Sequence, residues 1–183
     1  MNAQSSLDRA VVWRFETPPR PELESFARRL AADLTSLRTP APARPFLAVT
    51  PAGARFSDEL FRALAIRGVA ITERRSVTDW PRIASALHAR SLDHEALLRA
   101  FAHEELWRGL FPREDAEVWI LDGDRAFERA RAWKAQLRER LRGVQVTVQS
   151  LYDSFEAGLH AFHVPEPTEL EREWRALTAL RAV

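Results

Sequence analysis

The chain contains no cysteine and a single lysine, Lys134, among 27 cationic side chains. Without cysteine there is no disulfide, no thiol nucleophile and no thiolate metal ligand. With one lysine there is no Gly-Lys pair for a Walker A loop, and Schiff-base chemistry has one candidate amine. The six glycines are scattered, which excludes a glycine-rich phosphate loop and a dinucleotide fingerprint. No apolar stretch approaches the roughly 20 residues that span a bilayer. The N-terminus has no basic stretch followed by an apolar run, so it does not read as a secretory signal. The formal charge of +1 leaves no global electrostatic footprint for nucleic acid or an anionic membrane. The expected location is therefore cytoplasmic, with no nucleic-acid and no membrane partner. The excess of arginine over lysine reads as an effect of genome composition rather than as one broad anion-binding surface.

What is present is a chain of 183 residues, 46% hydrophobic and 29% charged, which suits one domain with a real core. Residues 1–8 read as a polar tail, and Val11, Trp13 and Phe15 alternate as in a short strand over Ala10–Phe15. After Pro18 and Pro19, helical spacing of Leu23, Phe26, Leu30, Leu34 and Leu37 predicts a helix over Glu22–Arg38. Pro40, Pro42 and Pro45 then break the chain into an extended linker. These features divide it into a strand-helix extension with its linker, residues 1–45, and a main domain, residues 46–183.

In the main domain Phe46–Thr50 reads as a strand and Pro51-Ala52-Gly53 as a turn. Ser57 is the expected N-cap of a helix reaching Arg67, with Gly68 at its end. Val69–Val77 reads as a strand, and a helix begins at Asp79 with Pro81 in its first turn. A second helix runs over Leu92–Leu110, expected to pack Leu97, Leu98, Phe101, Leu106 and Leu110. Ala116–Leu121 is a nearly continuous apolar strand, covered on at least one face. A long helix towards Leu141 follows, then a strand or extended arm at Val144, Val146 and Val148, a strand over Leu159–Val164, and a helix from Thr168 to Leu180. This βαββαβ order, with a helical hairpin inserted, predicts an α/β (α+β) domain: a ferredoxin-like antiparallel sheet with helices on one face.

Three stretches carry a resemblance in their order and spacing. They are the strand and turn Phe46–Gly53, the strand, glycine turn and helix Ile120–Arg131, and the run His163-Val-Pro-Glu-Pro-Thr-Glu169-Leu-Glu-Arg-Glu173. Together, over roughly residues 46–180, they resemble the nucleoside diphosphate kinase family. The resemblance implies phosphoryl transfer from Mg2+ with ATP or another nucleoside triphosphate, a nucleotide or phosphorylated small-molecule substrate, and assembly as a homo-oligomer. It sets His163 at the phosphate-accepting histidine and Arg131 at a phosphate-binding arginine. Thr50 stands at the family's strand-end lysine, Ala52 at its aspartate, Gln149 at a second phosphate-binding arginine and His160 at an asparagine. Val164-Pro165-Glu166-Pro167 replaces a glycine-serine-aspartate-serine run. His103 and Trp107 fall near the expected clamp for the nucleotide base.

A phosphoryl-accepting histidine needs a partner at its other ring nitrogen and cations around the transferred group. Glu169 or Glu173 on the following helix is the expected partner of His163. With two cationic positions of the family neutralised, turnover is expected to be slow unless Arg138, Arg140 or Arg142 reaches in, since one lost donor costs ~10²–10³ in rate. Plainer readings stand beside these. The Trp107–Phe111 spacing suits core packing, and Glu166, Glu169, Glu171 and Glu173 suit a solvated helix start. On a strand His160 and His163 face opposite sides, which argues against a shared metal. Two other functions remain open: the same scaffold turned to acid/base chemistry by His163 and His160 on a non-nucleotide substrate, and a non-catalytic binding or scaffold module.

Overall fold

The computed structural model describes residues 19–37, 42–89, 91–111, 115–140 and 160–180. The expected strand at Ala10–Phe15, the arm at Val144–Val148, and Gln149 and Arg142 lie outside the described residues. Among the described residues the elements are α1 (Arg20–Ser36), β1 (Phe46–Val49), α2 (Ser57–Ile66), β2 (Ile71–Val77), α3 (Trp80–His88), α4 (His94–Leu110), β3 (Ala116–Leu121), α5 (Gly123–Arg140), β4 (Phe162–His163) and α6 (Leu170–Ala179). The protein is thus α+β. Its sheet runs β2-β3-β1-β4, with every neighbouring pair antiparallel.

The two central strands bury both faces. Phe46, Ala48, Val118 and Ile120 point into one core with Trp80, Ile83, Trp107 and Trp174 from α3, α4 and α6. Leu47, Val49, Trp119 and Leu121 point into a second core with Leu60 and Leu64 of α2 and Phe127 and Ala130 of α5. Helices therefore cover both faces of the sheet, where one covered face was expected. The consecutive apolar residues of β1 and β3, with no polar alternation, are the sequence trace of that double burial. Helix α1 adds Phe26 and Leu30 to the first core rather than standing apart from it.

Local chemistry explains several boundaries. Ser57 is the first residue of α2, not its cap; a 3-10 turn over Ala54–Phe56 precedes it and Phe56 holds the cap position without a side-chain bond. Asp79 caps α3, accepting from the Arg82 backbone N–H at 3.3 Å, in a left-handed conformation with φ of 52°, which aspartate tolerates better than most residues. Asp93 caps α4 by accepting from the Ala96 N–H at 2.9 Å. The buried line of α4 is Ala96, Ala100, Glu104 and Trp107, whereas Leu97, Leu98, Phe101 and Leu106 are only partly buried. Small residues let α4 lie close to its neighbours, and Glu104 becomes the centre of an ionic knot. It accepts two bonds from Arg29 at 2.8 Å, one from Ser85 at 2.9 Å and one from Arg108 at 3.1 Å, linking α1, α3 and α4. Arg82 of α3 also reaches Asp33 of α1, at 2.9 Å through Nε and 2.5 Å through Nη2.

Candidate functional site

Strand β4 is only two residues long, and its register places His163 opposite Ala48 and Phe162 opposite Val49. Paired residues share a face. His163 accordingly faces the α3–α4–α6 side, and Phe162 packs into the other core. The following turn carries Pro165 and Pro167, and Glu169 donates its N–H to the Glu166 carbonyl at 2.9 Å before α6 begins. That short path returns Glu173 to His163: Nε2 and Oε2 lie 2.5 Å apart, with Glu173 buried. Glu169, the other expected partner, instead accepts from Arg172 at 2.6 Å. Arg172 also donates to the carbonyls of Ala86 at 3.2 Å and Leu87 at 2.6 Å, fastening α6 to the end of α3.

His163 lines a cleft of about 190 Å³ whose walls include Trp80, Ala84, Leu87, Trp107, His88, His103, His160 and Lys134. The expected strand over Leu159–Val164 does not extend back to His160, which sits in the turn before β4. As a result His160 and His163 line the same cleft rather than opposite faces of the sheet. Among the described residues, however, no group of three or more His, Asp or Glu is placed to hold a metal.

Thr50 closes the end of β1 over this turn. Its hydroxyl donates to the His160 carbonyl at 2.6 Å and its N–H to the Ala161 carbonyl at 3.1 Å. Buried and spent on the backbone, Thr50 positions the turn without bringing charge. The charge comes from Lys134, whose Nζ donates to the Phe162 carbonyl at 2.5 Å and lies 4.3 Å from the Phe162 ring centre. Sequence reasoning did not include Lys134, Trp80 or His88 in the site. The available signal was the isolated lysine itself in an arginine-rich chain, one turn beyond Arg131 on α5.

Arg131 lies one turn away, ion-paired with Glu166 beside a smaller hollow of about 50 Å³ that Lys134 also lines. Trp107 is buried and meets Trp80 edge to face, with ring centres 6.1 Å apart at 84°. The His103 ring centre lies 4.3 Å from that of His88 and 6.3 Å from that of Trp107. Its Nδ1 is buried without a hydrogen-bond partner. Burial first, then repulsion from His88, His160 and His163, pushes His103 down to about 3. Of the remaining expected site residues, the Arg138 side chain and Gln149 lie outside the described residues.

The arrangement offers a histidine backed by a buried carboxylate, three further imidazoles and one ammonium group around a small apolar-walled space. Its volume falls below the ~300–1,000 Å³ of sites that engulf a whole small-molecule ligand. It is sized for a small group rather than a whole ligand. No helix among the described residues is long and apolar enough to cross a membrane. Comparison with known proteins finds no matching family model, no matching curated protein and no matching solved structure.

Proposed function

We propose that the chain is a divergent nucleoside diphosphate kinase-like phosphotransferase that accepts a phosphoryl group on His163. The observation that carries this reading is the 2.5 Å contact between His163 Nε2 and Glu173 Oε2. A proton held on Nε2 by the carboxylate leaves the lone pair on Nδ1, the form a nucleophilic imidazole needs. In the first step the Nδ1 lone pair forms a bond to the terminal phosphorus, and the bridging P–O bond breaks with its electrons leaving on the diphosphate. An acceptor oxygen then displaces the histidine and restores it. Among the described lining residues Lys134 is the cation, and in this reading it meets charge on the transferred group. Magnesium belongs here to the nucleotide, as part of the substrate chelate.

The sheet order β2-β3-β1-β4 and its antiparallel pairing also support a ferredoxin-like topology. In it α2 and α5 are the crossovers and the α3–α4 hairpin is inserted between β2 and β3. Homo-oligomeric assembly follows from the same resemblance and belongs to the same proposal.

One observation favours the second reading, acid/base chemistry on a non-nucleotide substrate. Among the described residues the cleft walls are mostly apolar or imidazole, with Lys134 their one lysine or arginine. Incubation with terminally labelled Mg–ATP separates the two readings. Acid-labile label on the wild type that is absent from His163→Ala supports transfer. No label on folded, pure wild-type protein overturns it in favour of the acid/base reading.

A further inference from the structure

Four of the chain's five histidines, His88, His103, His160 and His163, meet at one cleft, although they come from α3, α4 and the β4 region. His163 is engaged by Glu173. In the same lining the His88 and His103 ring centres lie 4.3 Å apart, and the buried Nδ1 of His103 has no hydrogen-bond partner. Lys134 completes the lining from α5. On α3 and α4, Glu104 is committed to Arg29, Ser85 and Arg108, and Arg82 to Asp33. We infer that His88, His103 and Lys134 form the seat of a tetrahedral dianion, and that the seat fills with uptake of a proton.

The cleft's own lining resists protonation of His103, because burial and three neighbouring imidazoles disfavour its charge. A dianion reverses both effects. It offers an acceptor to the protonated ring and cancels the repulsion among the histidines. By reciprocity, a ligand that favours the protonated ring binds more tightly as pH falls and draws in a proton when it binds. One linked proton corresponds to about a tenfold gain in affinity per pH unit. A cleft of about 190 Å³ matches a phosphoryl-sized dianion rather than an entire nucleotide. The inference rests on reading the cleft as a phosphoryl site, but its test contains no transfer step.

The probe is sulfate, which stays doubly charged across the working range, so any pH dependence belongs to the protein. The full chain is titrated calorimetrically at several pH values between about 5.5 and 7.5, in buffers of different ionisation heat, to count protons. Expected are tighter binding by about tenfold per unit fall in pH and uptake of about one proton. His103→Gln should lose both features. His94→Gln, which alters the remaining, exposed histidine at the start of α4, should keep both. Absent binding, pH-independent binding, unchanged proton uptake in His103→Gln, or acetate competing as well as sulfate would each overturn the inference. The wild-type proton count decides the matter alone if His103→Gln fails to fold. Proton-coupled sulfate binding without phosphohistidine would sustain the seat and sink the transfer reading.

Discussion

Nε2 of His163 and Oε2 of Glu173 lie 2.5 Å apart, joining the shortest strand of the sheet to the first turn of the helix after it. Glu173 meets His163 but does not itself line the cleft, so it acts as a positioning residue. Glu173→Gln keeps the shape but removes the charge that holds the proton on Nε2. Phosphohistidine formation is expected to slow by about 10²-fold. Rapid-quench measurement of labelled protein checks this, and an unchanged rate assigns Glu173 a purely structural role.

His103 makes folding sensitive to acid. In the native protein it stays neutral down to about pH 3, whereas its ordinary value is 6.5. The unfolded chain therefore binds the extra proton as pH falls below 6.5, and stability is lost from there towards 3. Above 6.5 both states are neutral and the effect vanishes. The loss is on the order of 2 kcal/mol between pH 6.5 and 5. Urea unfolding of wild type should show it, and His103→Gln should be much flatter over the same window.

Glu104 is the most consequential charge in the helical layer. It is 5% exposed and meets Arg29, Ser85 and Arg108. Glu104→Ala leaves those cations facing a buried gap, with an expected cost of about 3–5 kcal/mol. Denaturant midpoints at fixed pH give the number, and a loss below 1 kcal/mol would mean that water readily replaces the carboxylate.

Gly53 has an ordinary φ of −88°, so its need for glycine is spatial. A methyl added there would lie 1.9 Å from the Ala161 carbonyl oxygen, a backbone atom beside the His160 turn. Gly53→Ala is expected to cost about 1–3 kcal/mol and to impair the site as well. Normal thermal stability with normal labelling would show that the turn moves aside freely.

Much of the fold was legible because its cues were local. Phe46–Val49 and Ala116–Leu121 announced themselves as continuous apolar runs, and Pro81 and Asp79 marked the start of α3. Leucine spacing was a partial guide on α4: Leu97 and Phe101 pack against the core, but the deepest burial follows Ala96, Ala100 and Glu104. The contact of His163 with Glu173 was readable, since only a short turn separates strand from helix. Lys134, His88 and Trp80 were not. Their convergence depends on how α5 and the α3–α4 hairpin dock on the sheet, which no local spacing encodes.

The brevity of β4 makes the site separable from the fold. Two paired residues hold His163 in the sheet, and further anchorage comes from Glu173, Thr50, Lys134 and the α6 clamp of Arg172. The three longer strands can therefore persist while the β4–α6 segment opens as a unit. Such an opening would carry the histidine and its carboxylate together away from Lys134, His88 and His103, and silence the chemistry long before the protein unfolds. Activity and global stability would then report two different equilibria.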